Sequence, residues 1–149
     1  MHALSVDLEE YFQVTNFENV ISPRQWDRMP SRIECATHRL LDLFAAAGAR
    51  ATFFALGWVA ERHPKLLREI AQHDHEIACH GYAHRMLGDL GPKEFRADLR
   101  RARVAMLGVW VAILALALLP ELVAFERLGH AEPAAPLAPV DRARASLAF

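Results

Sequence analysis

Apolar residues along this chain fall into short blocks whose spacing alternates between strand-like runs and helical periods. Residues 3–6 form a short apolar run that ends in acid, the pattern of a buried strand. Ile33, Leu40, Leu41, Phe44 and Ala47 then keep near-helical spacing. Ser31 with Glu34 three residues on reads as a capping box at the helix start, and Gly48 as its stop. Residues 51–56 form a second apolar run. Pro64 suits a first helical turn, with Leu66, Leu67, Ile70 and Ala71 behind it. Residues 76–79 form a third strand, ending at His80. Pro92 opens a last helix with Phe95, Leu99 and Ala102 on its inner face. The stretch from residue 9 to 29 is expected to be irregular. Strands alternating with helices predict a parallel α/β fold, which gathers its chemistry at the carboxyl ends of the strands.

The chain has 149 residues, 53% of them hydrophobic, enough for one domain with a core. A net charge of −1 gives no electrostatic case for nucleic acid. Of the 17 basic residues only Lys65 and Lys93 are lysine, a bias that reflects the base composition of a gene rather than protein physics. Cys35 and Cys79 form no CxxC pair and read as small core residues, with Cys79 packed beneath its neighbour His80. The start runs straight from Met1 to Asp7 with no basic n-region, so the expectation is a cytoplasmic chain.

The chemistry concentrates in two places. His80-Gly81-Tyr82-Ala83-His84 puts two imidazoles four residues apart, a spacing that lies on one face of a helical turn and brings both to one metal ion. It is not HExxH, since Gly81 stands where that motif has glutamate. Asp7, Glu9 and Glu10 cluster beside the first strand. A bound cation would offset their mutual repulsion. A site with three protein ligands and an open position activates water, so a metal-dependent hydrolase is the leading class. His63, His73 and His75 flank helix ends and are expected in solvent, while Tyr11, Phe12, Phe17 and Trp26 read first as core.

Three segments together carry a resemblance: Ser5-Val6-Asp7-Leu8-Glu9-Glu10-Tyr11-Phe12, then Ala51-Thr52-Phe53-Phe54-Ala55-Leu56-Gly57, then His75-Glu76-Ile77-Ala78-Cys79-His80-Gly81-Tyr82-Ala83-His84. In this order they resemble the polysaccharide deacetylase family, the NodB-homology group or carbohydrate esterase family four. The acidic segment is most similar to the exopolysaccharide (exosortase-associated) branch. The resemblance runs from residue 3 to about 103. It implies an α/β fold, here an incomplete (β/α) deacetylase-type barrel with parallel strands. It also implies a hydrolase that removes N-acetyl or O-acetyl groups from an acetylated polysaccharide or oligosaccharide, with a divalent metal, zinc first, as cofactor. By the same match Asp7 corresponds to the catalytic base, His80 and His84 to the metal-binding histidines. The family's common pattern has two adjacent aspartates, but Leu8 follows Asp7 here. Relatives with an acid-x-acid motif point to Glu9 as third ligand, with Glu10 the alternative.

The family's later motifs, an arginine-proline segment and a late histidine acting as general acid, are not recognisable, and His130 does not match the latter. The expected organisation is therefore residues 1–103 as the N-terminal part of a NodB-like domain and 104–149 as a divergent tail with an apolar helix and then irregular chain. A shifted or truncated reading frame near residue 104 is the leading account of the tail. Otherwise residues 104–119 form an apolar helix about 24 Å long at ~1.5 Å per residue. Such a helix is either soluble or, as the lesser alternative, a membrane anchor, although a bilayer core is ~30 Å thick. The rival to an active deacetylase is an inactive fragment that retains metal binding, or a membrane-tethered protein that is not an enzyme.

Overall fold

A computed structural model describes residues 3–129, with side chains placed as far as residue 115 and at Leu118. Residues 130–149, with His130 and the stretch expected to be irregular, lie outside that description. Three parallel strands, β1 (Ser5–Leu8), β2 (Thr52–Ala55) and β3 (Glu76–Cys79), pair in the order β1-β2-β3. Helix α1 (Ile33–Ala47) links the first two, and α2 (Gly57–Arg62) with α3 (Pro64–Gln72) links the second and third. The fold is the parallel α/β architecture that the hydrophobic blocks predict. The first strand lies two residues later than the apolar run placed it, and so takes in Asp7.

Register places the site. Leu8, Ala55 and Cys79 are level across the sheet, so Glu9, Leu56 and His80 leave together from its carboxyl edge. Phe53, Ala55, Leu56, Val59, Leu67 and Ile70 are fully buried beneath that edge. Fully burying one such large apolar side chain is worth about 1.5–3 kcal/mol. Phe12, Trp26 and Trp58 meet edge to face or tilted, with ring centres 5.8–6.2 Å apart, and close the core on the β1 side.

Several local expectations give way to tertiary contacts. The capping box does not form at α1. Arg32 is the N-cap residue, and its N–H donates to the Glu10 carboxylate at 3.1 and 3.3 Å. The Ser31 hydroxyl donates to the same carboxylate, while Glu34 turns to His63. A reciprocal capping box does occur earlier, between Ser22 and Gln25, where Pro23–Arg28 forms a 3-10 helix inside the stretch expected to be irregular. Gly48 ends α1 in the left-handed conformation, φ +60°, as its position predicts.

Cys35 and Cys79 are exposed, not core: Cys35 sits on the outer side of α1 and Cys79 on the free edge of the sheet. His75 is buried, not solvated. Its Nδ1 accepts the Ala51 N–H at 3.1 Å, and its ring packs on Phe44 and Phe53. Phe17, in the 3-10 turn Thr15–Phe17, is exposed and not core.

Helix α4 (Pro92–Gly129) starts at Pro92 and passes Pro120. Residues 104–119 are thus helical. Residues 3–117 make one compact unit, and residues 118–129 are described only as helix. Among the described side chains of α4, Ala102, Met106 and Val109 are buried; Phe95 and Leu99 are exposed instead of forming the inner face. Val104, Leu107, Trp110 and Leu114 are exposed as well. A groove of about 640 Å³ runs between α4 and the free edge of β3, lined by Ile77, Cys79, Leu99, Met106, Leu107 and Trp110. Among the described residues no helix is long and apolar enough to cross a membrane.

Candidate metal centre

At the carboxyl edge of the sheet the chain leaves β1 and β3 in loops that face each other. Glu9, His80 and His84 each present one ligand atom within 4.8 Å of the other two. His84 Nε2 lies 3.4 Å from Glu9 Oε2, and the two imidazole rings are 5.1 Å apart. The side chains of Glu9 and His84 are 14% and 19% exposed. Such shielding strengthens any charge interaction among them.

The two histidines do not converge by helical spacing. Residues 80–84 form an irregular loop. Gly81 has φ +77° and His84 φ +54°, both left-handed, so the chain curls back on itself after β3. His80 still belongs to the ladder through its N–H, which donates to the Ala55 carbonyl at 2.9 Å. The two imidazoles thus come together through this loop and not through the helical turn that the i, i+4 spacing suggests.

Glu10 stands apart from this cluster. It is 1% exposed and spends its carboxylate on Ser31 and Arg32 at the start of α1. The structure brings only Glu9 of the two glutamates to the histidines. Asp7 stands on β1 level with Phe54, one register step before the edge, with an exposed side chain. Its charge reaches the cluster: burial first, and then Asp7, raise the Glu9 carboxyl above its ordinary value of 4.5, while His84 and His80 pull it down.

The donors fit a divalent cation. Glu9 Oε2, His80 Nε2 and His84 Nδ1 are all buried without a hydrogen-bond partner among the described residues. Buried polar atoms in proteins are nearly always paired, and each orphan costs about 1–3 kcal/mol. Each of the three residues that bring a ligand atom together thus carries an unpaired buried atom, and an ion held between them would supply partners for Glu9 Oε2 and His80 Nε2. Two imidazoles and a carboxylate are a ligand set that zinc accepts with one position open. Ligand atoms ~2.1 Å from a tetrahedral centre are about 3.4 Å apart, comparable to the His84–Glu9 separation. Beside the cluster lies a cavity of about 520 Å³, lined by His80, His84, Met86, Leu90, Phe95, Asp98 and Leu99 among others.

An open parallel α/β sheet with a two-imidazole, one-carboxylate cluster at its carboxyl edge belongs with α/β proteins that build their sites on strand ends. Within that class, a family model described as polysaccharide deacetylase matches residues 25–111, more than half of the chain. The chain belongs to the polysaccharide deacetylase family. His80 and His84 fall inside the matched segment; Asp7 and Glu9 precede it. Over 63 residues the chain is 37% identical to a peptidoglycan-N-acetylglucosamine deacetylase of Bacillus cereus, covering 42% of this chain and 23% of that protein. A crystal structure of a Mycobacterium smegmatis protein described as a polysaccharide deacetylase is 31% identical with a TM-score of 0.57, covering 72% of this chain and 38% of that one. A family 4 carbohydrate esterase from Streptomyces lividans shares the fold at 24% identity and a TM-score of 0.53, over 72% of this chain and 44% of that one. The chain therefore spans between 23% and 44% of the length of these relatives.

Proposed function

We propose that this chain carries the metal-binding part of a divalent-metal-dependent deacetylase acting on an N-acetylated glycan. The observation that carries the reading is that Glu9, His80 and His84 each bring a ligand atom within 4.8 Å of the other two at the carboxyl edge of the sheet. Zinc is the ion the donors suit best. The Bacillus cereus relative acts on N-acetylglucosamine of peptidoglycan, which makes an N-acetylated hexosamine polymer the substrate class to test.

Bound there, a divalent ion supplies a Lewis acid that polarises the acetyl carbonyl and makes water more acidic. The chain's own residues do the rest. Glu9, His80 and His84 hold the ion and leave the side facing the 520 Å³ cavity for substrate. Asp7, two residues before Glu9 and open to solvent, takes the proton from the attacking water. The water oxygen bonds to the acetyl carbon, the carbon–nitrogen bond breaks, and the departing amine needs one proton. Among the described residues only His80 and His84 are histidines lining the cavity, and both are ligands in this reading. Asp7 therefore returns the proton it took, or a group beyond the described residues supplies one.

The test is zinc titration of the full chain together with acetate release from an N-acetylglucosamine oligomer. Stoichiometric zinc and chelator-sensitive acetate release support the enzyme. Zinc without acetate release leaves a metal-binding part that needs the rest of a deacetylase domain. No zinc binding refutes the reading outright.

A further inference from the structure

We propose that Asp98, on α4, is a positioning residue that fixes the loop of residues 80–84 in the shape that presents His80 and His84. The inference rests on the metal reading above. The loop is tied to α2 on one side: the Gly57 N–H donates to the Gly81 carbonyl at 2.8 Å, and the Trp58 N–H to the Tyr82 carbonyl at 3.1 Å. On the other side the Tyr82 N–H donates to Asp98 Oδ2 at 2.8 Å. That is the loop's one backbone bond to a side chain among the described residues. The same oxygen sits against Gly81, where an added Cβ would lie 3.1 Å from it.

The anchor matters because the loop holds two left-handed residues, and His84 is not glycine. A non-glycine residue persists in that conformation only when its surroundings hold it there. Tyr82 lies between the two ligands and is gripped throughout. Its hydroxyl donates to Glu61 at 2.7 Å, Arg101 stacks on its ring at 3.6 Å, and the residue is 5% exposed. Asp98 reaches the loop because α4 packs closely on α2: a Cβ on Gly57 would meet the Ala102 Cα at 2.8 Å. Asp98 lines the cavity beside the histidines without touching either of their rings by hydrogen bond. Its role is exerted through the loop.

Zinc affinity of the full chain, read with a competing chromophoric chelator, tests this in the wild type, Asp98→Ala, Asp98→Asn and Tyr82→Phe. Losing a group that orients metal ligands typically weakens metal binding ~10–100-fold, and Asp98→Ala is expected to fall in that range. Asp98→Asn keeps an oxygen acceptor and is expected to stay within about threefold of wild type. Tyr82→Phe is expected to lower Tm while leaving zinc affinity within the same threefold. Unchanged affinity in Asp98→Ala overturns the proposal, and so does an Asp98→Asn loss as deep as that of alanine, which would mean that charge acts and not the bond. A second measurement needs neither metal nor the alanine variant. The Tyr82 amide is expected to exchange slowly with solvent in the wild-type and Asp98→Asn chains, and random-coil exchange there overturns the positioning role. A wild-type chain that binds no zinc refutes the metal reading instead, and the exchange experiment keeps the two failures apart.

Discussion

Glu9 and Glu10 are adjacent in sequence and are assigned opposite jobs, and exchanging each for a neutral residue separates them. Glu10→Ala removes the acceptor for the Arg32 N–H and the Ser31 hydroxyl. Hydrogen bonds to a charged group are each worth about 1.5–3 kcal/mol. Ser31 is exposed and can turn to water, so the loss falls mainly on the Arg32 N–H at the start of α1. The expected destabilisation is about 3 kcal/mol, a large share of the ~5–15 kcal/mol that holds a typical domain. It should lower Tm by roughly 10 °C in a chain of this size. Zinc affinity should be unchanged.

Glu9→Gln should do the reverse. Burial raises the Glu9 carboxyl above 4.5, so its contribution to stability is full below that value and lost as pH rises through the folded value. At pH 7 the ionised group is a liability to the metal-free fold. The metal-free Glu9→Gln chain should be at least as stable as wild type at pH 7. Its zinc affinity should fall beyond the ~10–100-fold that loss of an orienting group costs, because a ligand itself is gone. Urea denaturation without metal and chelator competition with zinc read the two quantities on the same samples. A Glu10→Ala chain that keeps its stability and loses zinc would refute the division of labour.

Three further outcomes follow from single contacts. His75 accepts the Ala51 N–H in a buried site, and burial, then His73 and Arg50, hold its pKa below 6.5. Its stabilising contribution is therefore full above pH 6.5 and lost as pH falls through the folded value; in urea titrations between pH 7 and 5, wild type should lose up to about 1.4 kcal/mol per pH unit more than His75→Asn, and parallel profiles would contradict this. Gly57→Ala places a Cβ 2.8 Å from the Ala102 Cα and from the Tyr82 ring, so it should cost about 1–3 kcal/mol in thermal or urea unfolding; an unchanged midpoint would show that α2 and α4 are not so closely packed. Gly81→Ala imposes φ +77° on a residue with a Cβ, expected to cost about 1–2 kcal/mol and to weaken zinc binding, and an unaltered chelator titration would argue against the loop geometry.

Much of the fold was legible because its strands are short, apolar and punctuated. The third strand falls on the residues that the pattern predicts, and Gly48 and Pro64 mark helix ends by constraints that act within one turn. The misreadings share a different character. Ser31 with Glu34 has the spacing of a capping box, but Glu10, more than twenty residues earlier, supplies the acceptor, and no local pattern encodes that. His75 looks like a polar residue at a helix end. Only the return of the chain against Phe44 and Phe53 buries it.

The site follows the same rule. Residue types at His80 and His84 suggested a metal ligand pair, but the loop that brings the two rings together holds a left-handed glycine and is bonded to the N-terminus of α2 and to a carboxylate on α4. Glycine at position 81 was the one available signal that the spacing was not helical, since glycine is poor in a helix interior and apt where φ is positive. The choice between Glu9 and Glu10 was likewise open to sequence only as a pair of alternatives. Packing separates them: the Glu10 carboxylate caps the helix start, and the Glu9 carboxylate faces the histidines with a buried oxygen that has no hydrogen-bond partner among the described residues. An unsatisfied atom is costly to stability, and three residues that each carry one while standing side by side are the place in this fold to test for a ligand.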